Sequence, residues 1–189
     1  MITKWLNETN FEEIELVGGK NASLGEMIQN LSNLGIKIPN GFLVTSNGYD
    51  DYMKHNNLYE KINYYIKNIN IEDNEDLKAK GLLIRKFILE GEIKESLKEE
   101  ITEKYKQLSI DYNTNDVDVA VRSSGTAEDM PDASFAGQQD TYLNVRNIEN
   151  IFDCVKKCFS SLFNDRAISY RRTMNYDSDN VRISICIQK

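Results

Sequence analysis

What this chain lacks narrows it before any motif is considered. No apolar run approaches the ~20 residues a helix needs to cross a bilayer, so we expect no membrane span. Histidine occurs once, as His55 in "DYMKHNN", among polar residues and without a nucleophile or carboxylate pattern directed at it. That leaves no basis for a catalytic histidine. Cysteine occurs three times, with Cys154 and Cys158 in a helix-like segment and Cys186 in an apparent strand. The odd number, the irregular spacing and the lack of a secretory signal argue against a disulfide framework and for a reduced, cytoplasmic protein. With one histidine to complete a ligand set, the three thiols read as buried apolar groups rather than as a zinc site. An excess of positive charge is missing too. The formal charge of −7 disfavours a nucleic-acid binder, because phosphate backbones are captured by clustered Lys and Arg. A basic pocket for a single nucleotide stays open, since net charge does not report on one cleft.

What is present is a globular mixture, 40% hydrophobic and 28% charged over 189 residues, enough for one sizeable domain or two small subdomains. Leu24, Met27, Ile28, Leu31 and Leu34 recur at helical spacing after "VGGKNAS", with Ser23 and Glu26 at capping-box spacing and Gly35 closing the segment. "IPNGFLVT" reads as a turn and a short buried strand, Phe42 to Thr45, with Ser46 capping the next helix. The middle is helical: Leu77, Ile84 and Ile88 form one stripe, and Ile93, Leu97, Ile101, Tyr105 and Leu108 another. After the polar connection "DYNTND" the period changes to two. Val117, Val119 and Val121 mark one strand, Thr141, Leu143 and Val145 a second, and Val181, Ile183, Ile185 and Ile187 a last. Between the last two lie helical segments, one through Ile151, Val155 and Leu162 and one in "FNDRAISYRR". The chain stops at Lys189 directly after that last strand, read as an edge, which leads us to expect a piece of a longer protein. The expected class is α/β (α+β): a helix-rich part over 1–113 and an αβ part over 114–189, with a small mixed sheet.

Two stretches carry chemistry. "VGGKNASLGEM" places Lys20 beside two glycines where a helix starts. Helix N-termini favour anions, glycines admit them closely, and the lysine adds mobile charge. It is not a Walker loop, whose pattern is absent, and Gly-Gly-Lys is also a common turn. Arg122 ends a strand and runs into "SSGTAED"; its guanidinium suits two phosphate oxygens, or equally an ion pair with Glu128 or Asp129 that fixes the loop. "SFAGQQDT" suits a flap closing over a ligand, or a plain hairpin loop.

Taken together, "VGGKNASLGEM", "IPNGFLVT", "AVRSSGTAEDMPDASFAGQQDTYLNV" and "SLFNDRAISYR" resemble, in order and spacing, the phosphoenolpyruvate synthase (pyruvate, water dikinase) family. Pyruvate phosphate dikinase, glucan water dikinases and rifampin phosphotransferase share the same N-terminal module. The resemblance covers nearly the whole chain and implies an ATP-grasp nucleotide-binding portion. It implies that Lys20 and Arg122 grip the phosphates of ATP, that Gly137 and Thr141 of the flap lie over them, and that Gln188 sits near the adenine. It further implies magnesium, held by residues beyond Lys189, and two further domains. One is a swivelling domain whose histidine takes the phosphoryl group; the other is a barrel that binds pyruvate. His55 lies outside the family's histidine motif, so no catalytic residue is assigned in this chain. Gly125 departs from the alanine of many relatives, and Asp140 and Tyr142 are mild replacements. The readings to be weighed are an ATP-binding part of a pyruvate, water dikinase, a related phosphotransferase with another acceptor, and a non-catalytic nucleotide-binding module. Apolar surface left where a further lobe would pack makes self-association an expectation.

Overall fold

The computed structural model describes residues 1–126, 140–174 and 181–189, together with the backbone of Asp129–Met130 and Ala133–Ser134. The strands are β1 (Thr3–Trp5), β2 (Gly41–Val44), β3 (Val119–Gly125), β4 (Asp129–Met130), β5 (Ala133–Ser134), β6 (Thr141–Val145) and β7 (Ile183–Gln188). The helices are α1 (Ile14–Val17), α2 (Gly19–Leu31), α3 (Ser46–His55), α4 (Leu58–Lys67), α5 (Asn74–Glu90), α6 (Glu95–Asp111), α7 (Ile148–Ser161) and α8 (Asp165–Thr173).

Five strands form one sheet in the order β1-β2-β7-β3-β6, and β4 pairs with β5 in a separate two-stranded ribbon. The alternation in β7 explains the layering. Ile183, Ile185 and Ile187 join Phe42, Val44, Val119 and Val121 in a large core under α3 to α7. Cys186 and Leu43 point the other way, into a second cluster with Leu6, Val17, Ala22 and Ile28. β7 is therefore buried at every position. In the large core, Phe159 of α7 packs edge-on against Tyr49 at 5.3 Å, a geometry favoured by the ring quadrupoles, and lies tilted against Tyr52 at 5.1 Å.

The helix ends are set by short polar side chains, as backbone donors at a first turn require. Asp73, Asn147 and Asn164 cap α5, α7 and α8. The connection into β3 is pinned by the Tyr105 hydroxyl, 2.7 Å from both Asp116 Oδ1 and the Val117 carbonyl. Across the helical layer, Arg85 pairs with Asp165 at 2.7 Å and donates to the Phe163 carbonyl at 2.8 Å.

The α/β class read from the sequence holds, and five details differ. Every strand pairing is antiparallel rather than mixed. The last strand is interior, between β2 and β3, rather than at an edge, because its two apolar-compatible faces are both covered. Ser23 does not cap α2: it lies one turn inside, donating to the Gly19 carbonyl at 2.9 Å. Thr45, not Ser46, caps α3, accepting from the Gly48 amide. β1 went unseen, since three residues are too few to show a period. The sheet draws β1 and β2 from the first part of the chain and β3, β6 and β7 from the second.

Candidate nucleotide site

The site is built from the corner between α1 and α2. Gly18 joins them with φ 78° and ψ 152°, a conformation essentially confined to glycine. A Cβ there would stand 2.3 Å from Ser124 Oγ and 2.9 Å from the Ser124 carbonyl oxygen. Bare glycine thus lets the start of α2 rest directly on β3. The carbonyl of Val17 accepts from Asn21 Nδ2 at 2.8 Å and from the Ser184 hydroxyl, and Asn21 Nδ2 also donates to Ser184 Oγ at 2.8 Å. Asn21 is 2% exposed and Ser184 fully buried. This triangle ties the corner to β7. Lys20, one residue before Asn21, is on the exposed side of the first turn.

Arg122 stands opposite Thr141 on β6 and opposite Cys186 on β7. Arg122, Cys186 and Thr141 therefore share one face of the sheet. Over the β2–β7 half of that face, α1 and α2 form a roof, and Cys186 is buried. Over the β3–β6 half no such roof stands among the described residues, and both Arg122 and Thr141 are exposed. Ser124, on which Gly18 sits, is two residues beyond Arg122, about 7 Å along the strand. The fold thus sets the start of α2, which carries Lys20, against the strand that carries Arg122.

Gln188 lies further along the same face. Its Cα partners are Gly41 and Ala120, and four residues separate it from Ser184, about 14 Å. Its side chain is buried and donates to the Pro39 carbonyl at 2.8 Å. Beside it Lys189 Nζ donates to Asp118 Oδ1 at 2.7 Å, and Arg146 lies 3.5 Å from the same carboxylate. The Lys189 hydrogen bond, first among the causes, holds the Asp118 carboxyl below the usual range. Gly137 and Glu128, and the side chain of Asp129, lie outside the described residues. His55 closes α3 and is exposed; α3 packs into the core on the opposite face.

Lys20 at the head of α2 and Arg122 on β3 are both exposed in a chain whose formal charge is −7, and local positive charge of that kind attracts anions. The thiol of Cys186 is pushed up to about 12 by burial, with Arg122 opposing. It stays neutral and serves as packing. Among the described residues no group of three or more His, Cys, Asp or Glu is arranged to hold a metal, and no helix is long and apolar enough to cross a membrane. Sequence reading missed Asn21 and Ser184. Their only signal was polarity at positions that α2 and its corner bury, and that burial follows from tertiary packing alone.

A helix that starts on a glycine corner against an arginine-bearing strand is suited to an anionic ligand. The chain matches the family described as pyruvate phosphate dikinase, AMP/ATP-binding domain, over residues 14–189, and belongs to it. It is 51% identical over 185 residues to the phosphoenolpyruvate synthase of Aquifex aeolicus, covering 98% of this chain and 22% of that protein. The phosphoenolpyruvate synthases of Helicobacter pylori and Escherichia coli are each 44% identical, over 186 and 185 residues, covering 98% of this chain and 23% of theirs. The chain thus spans less than a quarter of the length of these relatives.

Proposed function

We propose that the chain is the ATP-binding part of a phosphoenolpyruvate synthase. In this reading the phosphates of ATP lie over the uncovered half of the sheet between Lys20 and Arg122. The Thr141 hydroxyl stands alongside, Gly137 belongs to a flap above, and Gln188 is directed toward the adenine. The observation that carries it is the placement of Arg122 and Thr141 side by side on that open face, one strand period from the Gly18 corner.

The chain's own residues then bind and orient. Lys20 and Arg122 neutralise charge on the phosphates, and the amides at the start of α2 add donors. Positioning and charge stabilisation are the main devices phosphoryl transfer asks of a protein. With water as co-reactant, ATP phosphorylates a histidine of another domain and leaves as AMP and phosphate; the phosphohistidine then passes its phosphoryl group to pyruvate, giving phosphoenolpyruvate. The division at residues 113 and 114 separates a part that brings Lys20 from a part that brings Arg122 and the flap. Magnesium accompanies ATP in this proposal; among the described residues no carboxylate cluster is arranged to hold it. The enzyme serves pyruvate metabolism and gluconeogenesis in the cytoplasm.

The test is calorimetric titration of the full-length protein with ATP and magnesium. Replacing Arg122 or Lys20 by Ala removes charge-assisted hydrogen bonds of about 1.5–3 kcal/mol. Affinity falls by about 10- to 100-fold in each variant. Affinities within threefold of the wild type in both would refute the assignment.

A further inference from the structure

We infer that Asn21 and Ser184 are positioning residues for the phosphate end of the nucleotide, acting through Lys20. The inference rests on the ATP-binding reading and adds the device that aligns its two cations. Asn21 follows Lys20 directly, and its carboxamide is turned inward to the Val17 carbonyl and to Ser184 Oγ, each at 2.8 Å. Ser184 closes the triangle by donating to the same carbonyl. Successive helical residues are ~100° apart around the axis, so a fixed inward Asn21 fixes the direction in which Lys20 leaves the helix.

The triangle reaches Arg122 through the sheet. Ser184 stands opposite Ser124 on β3, and Arg122 is two residues back along that strand. Lys20 and Arg122 are therefore joined through Asn21, Ser184 and Ser124 without relying on a loop. Docking of α2 does not need the triangle. Its body is held by Ala22 and Ile28, buried against Leu43 and Cys186. What remains for the three polar groups is the setting of the first turn. A second observation points to that turn. Ser124 Oγ is buried directly under Gly18 and has no hydrogen-bond partner among the described residues. An unmade hydrogen bond of that kind is costly, and it is tolerated where Gly18 is pressed hardest onto β3.

A double-mutant cycle on the full-length protein separates positioning from general loosening. ATP affinity is measured for the wild type, Ser184→Ala, Lys20→Ala and the double variant, with thermal unfolding in parallel. Asn21→Ala gives a parallel cycle. Ser184→Cys, which keeps the volume and supplies a much weaker donor, stands in should Ser184→Ala fail to fold. The expected result is at least a tenfold loss in Ser184→Ala and Asn21→Ala, and no further loss when either is added to Lys20→Ala. Full affinity in the single variants overturns the inference, as do losses that multiply in the double variants. If the wild type itself does not bind ATP, the proposed function falls, and the inference with it. If only Lys20→Ala and Arg122→Ala lose affinity, the function stands and the positioning role is rejected.

Discussion

Gly18→Ala is the sharpest test of how the corner is built, and its size follows from two independent costs. Holding a non-glycine residue at φ 78° and ψ 152° costs about 1–3 kcal/mol in backbone strain. The new Cβ would also meet Ser124 Oγ at 2.3 Å and the Ser124 carbonyl oxygen at 2.9 Å. The second of these is backbone of an interior strand and cannot swing away, so overpacking adds about 1–3 kcal/mol. The middle of the summed range is about 4 kcal/mol, which corresponds to about 8–16 °C in Tm for a chain of this size. Gly35→Ala supplies the control. Gly35 also has positive φ, 81°, but nothing lies within 4 Å of its would-be Cβ. Its cost is the left-handed backbone alone, about 1–2 kcal/mol, partly offset by the stiffer unfolded chain. Urea unfolding of both variants should show a difference of about 2.5 kcal/mol, most of it the contact with Ser124. Equal losses in the two, within about 0.5 kcal/mol, would show that α2 does not rest on β3 as described.

Two further outcomes follow. Phe159→Ala removes a fully buried ring that packs on Tyr49 and Tyr52; chemical denaturation should show a loss of about 3–5 kcal/mol, and less than 1 kcal/mol would contradict this core. For Cys186, burial raises the thiol to about 12 in the folded chain from an ordinary value near 9, so its contribution is complete below pH 9 and is lost as pH rises toward 12, by up to about 1.4 kcal/mol per pH unit. Urea midpoints at pH 8 and pH 10.5 should therefore fall more steeply in the wild type than in Cys186→Ala, and equal slopes would count against a buried neutral thiol.

Local periodicity carried much of the fold into the sequence. The stripe from Leu97 to Leu108 and the alternation from Val119 to Val121 were legible because each element buries one face, and the structure buries those residues. β7 shows where this reasoning stops. Its Ser184, Cys186 and Gln188 alternate with isoleucines, which reads as a half-solvated strand, yet all are buried, Ser184 and Cys186 under α2 and its corner and Gln188 against Pro39. Nothing within six residues reports that cover. Strand order was illegible for the same reason: β7 pairs with β2 and β3, from two distant parts of the chain. Lys20 and Arg122 were recognisable as residue types in motifs. The packing of the helix start that carries Lys20 against the strand that carries Arg122 was not, since it depends on Gly18 landing beside Ser124.

That packing also bears on the plainer readings of the two motifs. A common Gly-Gly-Lys turn needs only a reversal of the chain, and many conformations provide one. Here the first glycine takes a backbone state that other residues avoid, and its absent Cβ brings the helix start against a strand that carries an arginine on the same face. In the function proposed above, an anion with several oxygens uses all of these at once: forked donors from Arg122, a mobile charge from Lys20, a hydroxyl from Thr141 and amides at the head of α2.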